Sequence, residues 1–332
     1  MESPGARRGR RARPSRRPLL PLALAAAAVL GATAGGAAYV KARADSGARA
    51  VSSSSSATPS ASASTSQSQS QSESEDEEVS VESEAALGAD RDAQLAAAMR
   101  SVTVPRDAAV SVAVLDLASG VGAAYGGGVF ETASIVKADI LAALLLRAQD
   151  EGRRLSAAEK TYATAMIETS DNDAASALWR TIGEAEGLDA ANERLGLTRT
   201  EGGEGMLWGL TRTTAADQLT LLRQVFGDES ELSEASRTYL RGLMGRIAAG
   251  QDWGVSAAAD GSSWALKNGW LPRSTTGLWV VNSIGRVGVG GRDYVVAVLS
   301  NGNATQAAGI SLVEGAAKAA VSAAVPSAGA VG

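Results

Sequence analysis

The sequence predicts an α+β fold: one antiparallel sheet built from both ends of a folded domain, with a helical lobe packed against it. Three observations predict it. Strand-like alternation occurs early, in "AVSVAVLDL" (109–117). It returns late, in "SSWALKNG" (262–269), "GLWVVNSIGRV" (277–287) and "DYVVAVLSNG" (293–302). Five stretches with helical spacing and helix-end signals separate the two groups.

Taken in order, "RDAQLAAAMRSV" (91–102) reads as an opening helix and 109–117 as the first strand. "GAAYGGG" (122–128) is its expected hairpin partner. A helix follows from about Ser134 to Ala148. Ile135, Val136, Ile140, Leu141, Leu144 and Leu145 make it apolar nearly all round, which marks a central buried helix. "SAAEKTYATAMIETS" (156–170) opens with a capping-box pattern, Ser156 to Glu159. "DNDAASALWRTIG" (171–183) predicts a helix stopped by Gly183. "TTAADQLTLLRQVFG" (213–227) and "LSEASRTYLRGLMGRIAAG" (232–250) add two more, each followed by glycine. A last helix, "AAGISLVEGAAKAAVSAAV" (307–325), closes the domain. No internal repeat is visible.

The segment before the domain has a different character. Residues 1–50 carry ten Lys/Arg against two Asp/Glu, and the remainder 21 against 34, so the net charge of −5 joins a basic head to an acidic body. An acidic body argues against a nucleic-acid partner. Seven arginines precede an uncharged run from Pro18 to Val40, long enough to span a bilayer. It reads as a transmembrane signal-anchor, or as a signal peptide cut after Ala42-Arg43-Ala44; "SRRPLL" (15–20) also looks like a twin-arginine export signal. The expected organisation is a basic cytoplasmic segment (1–17), the apolar segment (18–40), a disordered Ser-rich and acidic linker (41–88), the folded domain (89–325) and a tail (326–332). This puts the domain outside the cytoplasm, held at the membrane or secreted after cleavage.

The chain has no cysteine and no histidine. That excludes disulfides, thiol nucleophiles, a Ser-His-Asp triad and imidazole metal sites. A hydrolase built from this sequence must take its base from lysine, a carboxylate or tyrosine. Ser134 and Lys137 stand one helical turn apart at a helix start, where the helix field and burial favour a neutral amine able to accept a serine proton. Ser170-Asp171-Asn172 falls at a junction between helices, and Lys267-Asn268-Gly269 on a strand, where a lysine requires a reason and a glycine allows close approach. Taken singly, these read as helix caps and an edge-strand charge. Together they do not: the chain has five lysines, and two of them occupy these slots.

The order Ser-x-x-Lys, Ser-Asp-Asn, Lys-x-Gly resembles the class A β-lactamases and the penicillin-binding D-alanyl-D-alanine peptidases, over residues 89–325. "AMIETSDNDAASALWRTIG" and "GLDAANERLGL" also look like the family's segments around and after its second motif. The resemblance implies a β-lactamase/transpeptidase-like fold and a serine hydrolase. Ser134 would be acylated and Lys137 would be the base. Ser170 would pass the proton to the leaving nitrogen. Asn172, Lys267, Asn268 and Gly269 would hold the substrate, and the backbone N–H groups of Ser134 and Trp270 would form the oxyanion hole.

Two departures stand out. Asn268 replaces the usual threonine, and the loop "TRTEGGEGMLWGLTRTT" (198–214) lacks the family's Glu-x-x-Leu-Asn run. Glu201 is the candidate for its deacylating carboxylate. The expected substrate is a β-lactam or a peptidoglycan-derived acyl-D-alanine. Expected activities are those of a β-lactamase or a D-Ala-D-Ala carboxypeptidase, with a non-catalytic wall-binding or β-lactam-sensing domain as the alternative. No metal or organic cofactor is called for, and a monomer is expected.

Overall fold

A computed structural model of the chain describes residues 88–261 and 263–325. The predicted segments 1–17 and 18–40, the linker up to residue 87 and the tail lie outside the described residues. Among the described residues, no helix is long and apolar enough to cross a membrane.

The opening helix α1 covers residues 88–99. Strands β1 (Ala109–Asp116) and β2 (Gly122–Tyr125) form the predicted hairpin. The later strands are β5 (Trp264–Pro272), β6 (Trp279–Val289) and β7 (Arg292–Asn303). The five make one antiparallel sheet in the order β2-β1-β7-β6-β5, so the first strand lies directly against the last. A two-stranded ribbon, β3 (Phe130–Glu131) with β4 (Arg212–Thr213), stands apart.

The period of two assigns each strand residue to a layer. On β1 and β7, Val112, Val114, Val296 and Val298 pack on α1 (Leu95, Met99) and on the closing helix α8 (Gln306–Ala324). Ala113, Leu115, Val295, Ala297 and Leu299 face the helical lobe on the other side. The lobe contains α2 (Val136–Asp150), α3 (Ala157–Glu168), α4 (Asn172–Ile182), α5 (Glu184–Leu195), α6 (Ala215–Phe226) and α7 (Glu234–Met244). Its centre is α2, whose residues Val136 to Leu146 are all buried.

The helix ends follow their side chains. Ser156 and Glu159 make the predicted capping box on α3. The Asp171 carboxylate accepts from Ala174 N–H at the start of α4. Thr214, Ser233 and Thr305 cap α6, α7 and α8 in the same way. Gly183 ends α4 in the left-handed conformation, φ 99°, that few other residues adopt cheaply.

Candidate active site

Ser134 does not begin the long helix. It lies in a short 3₁₀ turn, Ala133–Ile135, that runs into α2. The turn is fastened to the sheet. Asn282 on β6 donates through Nδ2 to the carbonyls of Glu131 (2.8 Å) and Thr132 (2.9 Å), and its Oδ1 accepts from Ser300 N–H. Ala133, just before the serine, has φ +48°, and Ser170 has φ +56°. Non-glycine residues reach this region only where surrounding contacts hold them, and such strain gathers at functional sites. β5 presses on the same turn: a Cβ at Gly269 would stand 2.7 Å from Ser134 N and 2.8 Å from Ile135 N.

Lys137, one turn on, is wholly buried. Its Nζ reaches Ser170 O (2.7 Å), Asn172 Oδ1 (2.8 Å) and Ser170 Oγ (3.0 Å). These acceptors sit at the α3–α4 junction, where the Asp171 cap and the positive φ of Ser170 turn the chain toward the amine. Burial lowers the Lys137 amine to about 7, against the pull of the Asp171 carboxylate. A neutral amine has two N–H donors and one lone pair. Two donors suffice for the Ser170 carbonyl and the Asn172 amide, leaving the lone pair for a hydroxyl proton.

Lys267 enters from the other side. Its Nζ donates to Ser170 Oγ (3.1 Å) and to Asn268 O (2.9 Å). Burial first, then the charge of Lys137, holds it well below the usual lysine range. Ser170 Oγ is therefore held between two amines. β5 is an edge strand, but Lys267 is fully buried and faces the lobe, so it is not a solvated charge guarding an edge.

Two expected site residues are placed elsewhere. Asn268 points to the opposite face of β5, because strand side chains alternate. Its Nδ2 donates to Gln251 O (2.8 Å) and Trp253 O (2.9 Å), so its amide clamps that loop and is not open to a substrate. Glu201 is exposed, and its backbone pairs with Arg212 as a continuation of the β3–β4 ribbon. Its carboxylate forms no hydrogen bond or ion pair with Lys137, Ser170 or any other group among the described residues. Trp270 follows Gly269 on β5, partly buried, its ring 5.9 Å from that of Trp253.

Sequence reasoning missed two features. The Trp208 ring lies over Lys137, with Nζ 5.0 Å from its centroid. On α2, the buried Asp139 Oδ1 accepts from Gln218 Nε2 (3.0 Å), while Asp139 Oδ2 and Gln218 Oε1 have no partner among the described residues. Burial, its largest cause, raises the Asp139 carboxyl to about 7. The same Gln218 amide reaches Thr213 Oγ1 (3.1 Å), which contacts Thr200 Oγ1 (2.8 Å), itself bonded to Asp217 Oδ2 (2.7 Å). This polar seam ties α2 to both ends of the 198–214 loop.

Comparisons with known proteins agree with this architecture. The chain is structurally similar to the TLA-1 extended-spectrum β-lactamase (TM-score 0.62, 16% identity, 72% of this chain and 99% of that one). It is also similar to PBP-A (TM-score 0.60, 23% identity, 69% and 95%) and to a β-lactamase from Xanthomonas campestris (TM-score 0.56, 21% identity, 72% and 99%). No curated protein matches by sequence. A model described as the β-lactamase enzyme family matches residues 158–324, which include Ser170 and Lys267; Ser134 and Lys137 precede the match. The chain has the fold of the β-lactamase-like serine hydrolases, and it belongs to the β-lactamase enzyme family.

Proposed function

We propose that the domain is an active-site serine hydrolase of the class A β-lactamase type, acylated on Ser134 by a β-lactam or a related amide. The observation that carries the reading is Ser170 Oγ, 3.1 Å from the Lys267 amine and 3.0 Å from the amine of Lys137, which stands one turn on from Ser134.

In this reading the neutral Lys137 takes the Ser134 hydroxyl proton as Oγ attacks the carbonyl carbon. The backbone N–H groups of Ser134 and Trp270 receive the oxyanion. As the C–N bond breaks, Ser170 gives its proton to the leaving nitrogen and is re-protonated from Lys137. A substrate carboxylate beside Lys267 favours its ammonium form, and Asn172 holds the substrate amide. The route uses no metal or organic cofactor.

A second reading is a D-alanyl-D-alanine carboxypeptidase or penicillin-binding enzyme. The exposed position of Glu201 favours it, because no carboxylate contacts Lys137 or Ser170 among the described residues. A variant of one structural neighbour, PBP-A, is described as an acyl-enzyme complex with penicillin G. The basic head and apolar run of residues 1–40 support a domain working outside the cytoplasm, anchored or secreted, as a monomer on β-lactams or peptidoglycan-derived acyl-D-alanine.

The test is incubation of the chain with a fluorescent penicillin, followed by intact mass, with Ser134→Ala as control. A label on Ser134 that the variant lacks is expected. Label in both proteins refutes the assignment of the nucleophile. No label in either points to a non-catalytic wall-binding or β-lactam-sensing domain.

A further inference from the structure

Trp208 belongs to the loop in which sequence reasoning had named Glu201 as the carboxylate. It opens a 3₁₀ turn, Trp208–Leu210, in the 198–214 loop, and its ring covers Lys137 at 5.0 Å. It is held there. The indole N–H donates to Ser176 Oγ on α4 (3.2 Å), and Trp179 on the same helix donates to Gly205 O (2.6 Å). Gly203 N–H donates to Thr211 Oγ1 across the base of the loop (3.1 Å). The loop is thus pinned to α4 on both sides of Gly205–Trp208. Lys137 Nζ also contacts the Ser170 carbonyl and hydroxyl and the Asn172 amide.

Release of an acyl group from Ser134 needs a water whose oxygen attacks the ester carbon. One water proton must go to a base, and Ser134 Oγ must regain a proton as its C–O bond breaks. Lys137 is the buried base at hand, and the face that Trp208 covers carries an aromatic ring, which offers no hydrogen-bond acceptor for a water; among the described residues no carboxylate bonds to Lys137. We propose that Trp208 sets the lifetime of the acyl-enzyme: its indole keeps hydrolytic water from the Lys137 amine, so an acyl group on Ser134 is retained rather than released. Trp208 is a positioning residue, acting through Lys137 and not on the substrate. The proposal rests on the acyl-enzyme reading above.

The experiment loads the full-length protein with fluorescent penicillin, chases with excess unlabelled penicillin, and follows loss of label from pH 5.5 to 8.5. Wild type is expected to keep its label over the hours of the chase. Trp208→Ala should release its label at least about 10-fold faster than wild type, whatever its rate of labelling, below the 10²–10⁴-fold of a fully positioned base. That release should quicken with rising pH, as Lys137 becomes neutral. Trp208→Phe keeps an aromatic face over the amine but loses the indole N–H, and Ser176→Ala removes the partner of that N–H; both should shift release in the same direction by clearly less than Trp208→Ala.

Rapid release by wild type, or label in Trp208→Ala that persists as in wild type, overturns the role of Trp208 and leaves the acyl-enzyme reading standing. So does faster release with no pH dependence, which is the mark of general loosening. Absence of label in every protein overturns both.

Discussion

Replacing Gly269 with alanine puts the pressure of β5 on the Ser134 turn to a direct test. The new Cβ would stand 2.7 Å from Ser134 N, 2.8 Å from Ile135 N and 2.8 Å from Thr132 O, while ordinary contact begins near 3.4 Å. All three neighbours are backbone, so no side chain can rotate away. Turn and strand must separate by 0.6–0.7 Å, the shortfall between those distances and ordinary contact. The turn is held by Asn282 and the strand by its ladder to β6, so the separation strains both. Overpacking of this kind costs about 1–3 kcal/mol. In a domain of this size that lowers Tm by roughly 2–12 °C. The effect on chemistry is larger in proportion, because a displacement near 1 Å in a positioned site costs about 10²-fold in rate. The assay is the single-turnover rate of Ser134 labelling by fluorescent penicillin at 25 °C, beside a thermal melt. Labelling should fall by one to two orders of magnitude while the protein stays folded. Labelling within about threefold of wild type, with an unchanged melt, would refute the claim that this approach sets the position of the turn.

Two further predictions concern titration. Lys137 accepts the Ser134 proton only as the neutral amine, so labelling should rise with pH and level off above about 7; stopped-flow labelling across pH 5–9 measures it, and a flat profile assigns the proton to another group. Asp139 has a folded value raised from 3.8 to about 7. The native state therefore binds the extra proton, and the stability it contributes is complete below about 4 and lost as pH rises through about 7, on the order of 4 kcal/mol at most. Asp139→Asn stays neutral and can pair its amide with Gln218 Oε1. Denaturant melts should show it more stable than wild type at pH 8 and flatter in pH dependence; a variant less stable at pH 8 contradicts this.

Much of the fold was legible because local and global signals agree. The Ser156–Glu159 box, the Asp171 cap and Gly183 each sit where a helix starts or stops, for reasons confined to a few residues. Strand alternation placed β1 with the late strands and made a sheet from both ends plausible before any pairing was known. The serine–lysine cluster was legible because a chain without histidine leaves few bases, and two of its five lysines fell at helix and strand positions that burial explains.

The misses share a cause. Asn268 was read as part of a three-residue unit facing the substrate, yet the same period of two that turns Lys267 and Gly269 toward the lobe turns Asn268 away. Glu201 was named as the carboxylate of the 198–214 loop, but a glycine-rich loop carries no periodicity to fix which side chains turn inward. Trp208 belongs to that loop, and its contacts with Lys137 and Ser176 span 71 and 32 residues. Asp139 was hidden by its apolar neighbours, since nothing local separates a buried carboxyl from an exposed one.

The strand order governs when this domain can first become whole. β1, formed early, has its place beside β7, which is among the last segments made, and β6 and β5 attach beyond it. A growing chain can pair β1 with β2 and coil its helices. It cannot seat Lys267 against Ser170 until residues near 300 have emerged. Such long closures fold slowly and leave strand edges open meanwhile. The Lys267–Ser170 pair thus forms only after the strands that follow the helical lobe have been made, so a ribosome must deliver nearly the whole domain before the cluster around Ser170 exists.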